Sequence, residues 1–80
     1  MTVSQGIARR IDEYLFEKGI TLYQLSKNAG LPVSTLQNLY RNSTKSPTVA
    51  VLYKICLGLN VSIAEFLDCE YLSPLILELD

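Results

Sequence analysis

Histidine is missing altogether from the 80-residue sequence. Its absence removes an imidazole general base, a His-ligated zinc and a proton switch near neutral pH. Cysteine is nearly missing too. Cys56 and Cys69 cannot supply a four-ligand metal site or a dense disulfide framework. Three prolines and four glycines are too little punctuation for a many-turned β sandwich. No apolar run approaches the ~18 residues of a membrane span, and Met1-Thr2-Val3-Ser4-Gln5 lacks the basic-then-apolar pattern of a secretory signal. The chain reads as soluble, cytoplasmic and free of metal or cofactor. What it does have is 49% hydrophobic residues, enough for one core, in a length that suits one small domain.

The charge is unevenly placed. Residues 1–64 hold all seven basic residues against Asp12, Glu13 and Glu17, a net +4. Residues 65–80 hold the other five acids and no base, a net −5, so the overall −1 conceals a basic body with an acidic tail. Such a body permits a nucleic-acid partner that the average charge would argue against.

Apolar periodicity reads as five short helices, an all-α domain over residues 1–68 followed by a tail over 69–80. In the first helix Ile7, Ala8, Ile11, Tyr14 and Leu15 recur at about 3.6 residues, and Gly19 suits a left-handed end. Thr21 and Gln24 form a capping box, with Ile20 and Leu25 as its hydrophobic staple, for a second helix ending at Gly30. Pro32 opens a third helix through Tyr40, where its missing N–H is not needed, and Leu36 and Leu39 face inward. Residues 42–47 form a polar loop in which Asn42 is a candidate for positive φ. Thr48 caps a fourth helix with Val49, Leu52, Ile55, Cys56 and Leu59 inward and Asn60 as a left-handed end. Ser62 and Glu65 repeat the box, and Val61 and Phe66 the staple, for a fifth helix.

The tail is different. Six of its residues 71–79 are large and apolar (Tyr71, Leu72, Leu75, Ile76, Leu77, Leu79), and Pro74 forces Ser73 towards an extended backbone. So much apolar surface needs cover. One reading folds the tail over helices one and five; the favoured one makes these six residues a dimerisation element across a two-fold axis.

A short helix, a turn at Gly30 and a second short helix have the proportions of a helix-turn-helix. Thr21, Leu25, Ala29-Gly30, Ser34-Thr35-Leu36, Pro47 and the run Leu59 to Leu67 (Leu-x-Val-Ser-x-x-Glu-Phe-Leu) together resemble the Cro/repressor-type helix-turn-helix domain, the XRE family, over about residues 4–68. The resemblance implies a five-helix, lambda-repressor-like DNA-binding fold whose third helix, about residues 32–40, enters the major groove of double-stranded DNA. It puts Val33, Ser34, Gln37 and Asn38 at base-contacting positions. Their chemistry agrees in part, because an amide can donate and accept together against adenine. Taken alone, the same amides also fit an ordinary solvated helix face. For phosphates, the resemblance implies Thr21, the loop from Arg41 through Asn42 and Thr44 to Lys45, and Thr48 with Val49; Tyr23 and Lys27 are further candidates. Arg9, Arg10 and Lys54 read as solvated charges paired loosely with Asp12, Glu13 or Glu17.

Three positions depart from the family pattern. Leu22 stands where a phosphate-binding Gln is usual. Leu15 and Tyr40 replace an Arg–Glu pair, which implies an apolar contact there. Asn42 replaces a Gly. The implied function is a sequence-specific transcriptional regulator acting as a homodimer on a two-fold related operator. The alternative is a protein-interaction module, an antitoxin or adaptor, that uses the apolar, acidic tail. An enzyme is not expected, since neither thiol has a histidine partner and no Gly-rich phosphate loop is present.

Overall fold

A computed structural model describes residues 1–41 and 46–79. Five α-helices follow one another: α1 (Val3–Lys18), α2 (Leu22–Ala29), α3 (Val33–Tyr40), α4 (Val49–Leu59) and α5 (Ile63–Leu67), then a 3₁₀ turn at Glu70–Leu72. The described residues contain no extended strand, only an isolated parallel bridge between Thr2 and Glu78.

Local chemistry sets most of the boundaries. Thr21 and Gln24 exchange backbone–side-chain hydrogen bonds of 2.8 and 3.1 Å, closing the reciprocal cap of α2. Thr2 and Gln5 do the same for α1, a box equally present in the sequence. Gly19, Gly30 and Asn60 all lie in the left-handed region at φ 66, 70 and 60°, each ending a helix whose last carbonyls its N–H or its neighbour's then satisfies.

The core is one cluster. Ile11, Leu25, Leu36, Ile55 and Phe66 are fully buried, one from each helix, and the Tyr14 and Phe66 rings stack with centroids 6.0 Å apart. The helices are too short to be stable alone, so this shared burial holds them. α2 packs most extensively on α4. A Cβ built on Gly58 would lie 2.9 Å from Ala29 Cβ and 3.0 Å from its backbone N, so glycine permits the close crossing.

Several local expectations change. Pro32 is the N-cap of α3 rather than its first residue, with φ −60° and ψ 142°. Val49 faces solvent, in line with the exposed Tyr53 and Leu57 four and eight residues on, while Val51 and Leu52 of the same turn pack against the core. The Glu65 carboxylate does not close a box on Ser62; it accepts from the Tyr14 hydroxyl at 3.3 Å, while Ser62 Oγ accepts from Glu65 N. Tyr40 makes a polar contact in place of the apolar one expected with Leu15: its hydroxyl donates to Asp12 at 2.8 Å, joining α3 to α1. Burial and this acceptor together push the Tyr40 phenol well above its usual range.

Arg10 is not a loosely paired surface charge. Its guanidinium donates to the carbonyls of Phe66 at 2.7 Å and Glu65 at 2.8 Å, to Tyr14 Oη at 3.2 Å and to Glu13 at 3.4 Å. A cation on the last carbonyls of α5 also complements the negative end of that helix. Arg9 meanwhile lies over the Tyr71 ring, 4.4 Å from its centroid.

The tail divides. Tyr71, Leu72 and Leu77 fold onto their own chain: the Tyr71 hydroxyl donates to Glu13 at 2.6 Å, and Leu72 is buried against Gly6, where any Cβ would meet its Cδ2 at 2.6 Å. Glu78 N donates to Met1 O at 3.0 Å and its carboxylate lies 3.7 Å from the Met1 ammonium. Leu75, Ile76 and Leu79 point to solvent. Of the six apolar tail residues, Leu72 is thus buried within the chain, Tyr71 and Leu77 are half-buried, and Leu75, Ile76 and Leu79 remain exposed.

Candidate nucleic-acid interface

In α3, a helix eight residues long, Leu36 and Leu39 are buried, and these two positions fix how the helix is rotated. Positions 34, 37 and 38 then fall on the opposite side, three and four residues apart. Ser34, Gln37 and Asn38 are exposed there and Val33, at the start of the helix, is half-buried. Within the described residues none of the three polar side chains forms a hydrogen bond, and nothing covers them. The amide and hydroxyl groups are thus held on a rotationally fixed helix with their hydrogen-bonding capacity open.

The first turn of α3 has no side-chain cap, because proline cannot provide one. Thr35 N bonds to Pro32 O at 3.0 Å, which leaves the amides of Val33 and Ser34 as the open donors at this end. Nothing in the composition drew attention to this pair; only the one-residue shift of the helix start identifies it.

The flanking candidates are placed as follows. Thr21 is exposed, but its hydroxyl and amide are both engaged in the α2 cap. Tyr23 and Lys27 form a pair on the outer side of α2, with the ammonium 5.0 Å from the ring centroid. Ser26, between them, is buried and its hydroxyl donates to Tyr23 O at 2.6 Å, which fixes that turn. Arg41 is exposed at the end of α3, and Thr48 Oγ1 accepts from Val51 N at 3.1 Å as the cap of α4. Asn42, Thr44 and Lys45 lie outside the described residues. Leu22, in place of the polar residue of the family pattern, is half-buried against the core.

Charge reinforces the geometry. Between Glu17 and Glu65 the sequence holds five basic residues and not one Asp or Glu. The whole of α2, α3 and α4 is therefore free of acids, whereas all three acids of the basic body sit on α1. Among the described residues no group of His, Cys, Asp or Glu is placed to hold a metal ion, and no helix is long and apolar enough to cross a membrane. Cys56 is buried, and burial raises its thiol pKa.

Known proteins share this arrangement. Residues 10–71 match the description of the Cro/C1-type HTH DNA-binding domain. The HTH-type transcriptional regulator SinR of Bacillus subtilis is 37% identical over 62 residues, 78% of this chain, and its Bacillus licheniformis counterpart is 36% identical over the same length. The chain spans 56% of the length of each of these relatives. Among solved structures, the restriction-modification controller protein C.Esp1396I superimposes with a TM-score of 0.74 at 26% identity, covering 85% of this chain and 87% of that one. The all-α order, the helix-turn-helix at α2 and α3, and these matches agree: the chain belongs to the Cro/C1-type helix-turn-helix DNA-binding domain family.

Proposed function

We propose that the domain reads a DNA sequence through α3 and acts in transcriptional regulation, as a homodimer on a two-fold related operator. The observation that carries this reading is the outward row of Ser34, Gln37 and Asn38, unbonded among the described residues, on a run of three helices without an acid. Gln37 and Asn38 are the groups that would discriminate bases, most readily adenine, by paired donor and acceptor contacts. Ser34 would bond to several edges, and Val33 would meet a thymine methyl. Lys27, Arg41 and Lys45 supply charge to the phosphates. Tyr23, Asn42, Thr44 and Thr48, with the amide end of α4, supply neutral donors. Thr21, like Thr48, accepts a cap hydrogen bond at its hydroxyl oxygen and keeps its O–H to donate to a phosphate.

Two α3 helices on one face of B-DNA would sit ~34 Å apart, so half-sites should be centred ~10 base pairs from one another. If each protomer neutralises about two or three phosphates, log K should fall against log salt with a slope of about −4 to −5. Selection of bound duplexes from a random pool tests the reading directly. The selected pool should contain a two-fold motif, and Gln37→Ala or Asn38→Ala should relax preference at one position per half-site. Enrichment of no motif, or an unchanged motif in both variants, would reject it.

A further inference from the structure

The tail and α1 border a hollow of about 300 Å³ lined by Arg9, Glu70, Tyr71 and Ile76. Its walls are held from behind. Tyr71 is half-buried and its hydroxyl is fixed by Glu13 at 2.6 Å, while the Arg9 guanidinium lies over the ring, 4.4 Å from its centroid. On the tail side, Ser73 O accepts from the amides of Ile76 and Leu77 at 3.0 Å, a tight turn that sets Ile76 against the hollow. Two opposite charges thus share one small space, and both are open. The Arg9 guanidinium donates no hydrogen bond among the described residues, and its one ion pair, to Glu13, is stretched to 4.0 Å. The Glu70 carboxylate has no partner among the described residues, Arg9 included.

We infer that this hollow binds a small zwitterion with an apolar side chain, a free aliphatic α-amino acid. The ligand carboxylate meets the Arg9 guanidinium, whose planar fork suits a two-point contact. The ligand ammonium meets Glu70, and the aliphatic side chain lies on Ile76 and Tyr71. Charge selects the class. A simple anion is repelled by Glu70, a simple cation by Arg9, and a neutral apolar molecule takes water from both without replacing it. Size agrees, because ~300 Å³ is the lower end of the range for small-molecule pockets and suits a ligand of amino-acid size rather than a dinucleotide. The inference goes beyond the DNA reading and does not depend on it, since the lining residues belong to α1 and the tail.

Binding is modest in strength. Arg9, Glu70 and Ile76 are exposed, so water screens each charge contact and the affinity falls in the millimolar range. Preorganisation works the other way, because the stack on Tyr71 already positions Arg9 and little has to be ordered. A ligand touching both α1 and the tail also ties the two together and stabilises the folded chain.

The test titrates L-leucine into the full, isotope-labelled chain to about 20 mM and follows backbone amide resonances. Saturable shifts should appear at residues 9, 70, 71 and 76, with a raised melting temperature. Leucinamide lacks the carboxylate, N-acetylleucine the ammonium and glycine the side chain, and each should bind about fivefold or more weakly. Arg9→Gln and Glu70→Gln change exposed side chains only. The first should bind leucine and leucinamide alike, and the second leucine and N-acetylleucine alike, because each removes one partner of one ligand group. Shifts that do not saturate, analogues that bind as well as leucine, or a charge variant that binds leucine like wild type would each overturn the proposal. So would variants that melt earlier yet discriminate the analogues as wild type does, since the two charges would then be structural. Leucylglycine, with a peptide unit between its charges, is the arm for a short peptide; tighter binding than leucine overturns the assignment to a free amino acid.

Discussion

α1 and α3 pack on one another, yet they use their polar residues in opposite ways. On α1 nearly every charged or phenolic group near the neighbouring elements is tied within the chain. Arg10 holds two carbonyls of α5, Glu13 accepts from Tyr71 and Asp12 accepts from Tyr40. On α3 the groups facing away from the core bond nothing among the described residues. Tyr40 marks the border, since it belongs to α3 but reaches back to α1. The contrast separates polar residues that build the domain from polar residues that it presents. A group already satisfied in the folded chain must lose a bond to meet a ligand, whereas an open, fixed group need only exchange water.

The largest effect is expected from breaking the tied side. Arg10→Ala removes the donors of four hydrogen bonds and strips the last carbonyls of α5 of theirs, while Tyr14 keeps its bond to Glu65; it should cost about 3 kcal/mol in urea denaturation. The half-site affinity of the protein that remains folded should not change; if it falls in step with stability, the separation of the two sides fails. Next comes the helix crossing beneath both. Gly58→Ala forces a methyl against the Ala29 backbone and should lower stability by about 1–3 kcal/mol, read from the melting temperature. The open side should respond in binding alone. Gln37→Ala or Asn38→Ala should cost roughly 1–3 kcal/mol of discrimination at its base pair, with stability within about 0.5 kcal/mol of wild type. A loss of stability there would show that the row is structural.

The smallest effect is a dependence on alkaline pH. Burial, helped by the Asp12 and Glu13 acceptors, raises the Tyr40 and Tyr71 phenols above their ordinary value of 10.0. Ionisation is then easier in the unfolded chain than in the folded one. The stabilisation is complete below about pH 10 and is lost as the pH rises beyond it. Urea titrations from pH 8 upward should show this decline, and Tyr40→Phe should flatten it; identical slopes would exclude a role for the α1–α3 hydrogen bond.

Much of this architecture was legible wherever one or two neighbouring residues decide the geometry. Thr21 with Gln24 starts α2, and Gly19, Gly30 and Asn60 close their helices as their conformational tolerance requires. The outward row of α3 follows from Leu36 and Leu39 by helical geometry alone. Long-range partners were not legible. Nothing around Arg10 in sequence announces carbonyls 55 and 56 residues away. The tail has no period to reveal that Leu72 and Leu77 turn inward while Leu75 and Ile76 turn out. Val49 turns out for a related reason: periodicity gives the angle of a residue around a helix, but not how wide a sector of α4 its neighbours cover.

The clasp over Gly6 leaves the two ends of the described chain side by side, with Glu78 bonded to the backbone of Met1. A short peptide joining them would cross little space and disturb no helix. Ring closure of this kind would restrict the denatured chain far more than the native one, so a cyclised form should resist heat and exopeptidases while leaving the α3 surface as it stands.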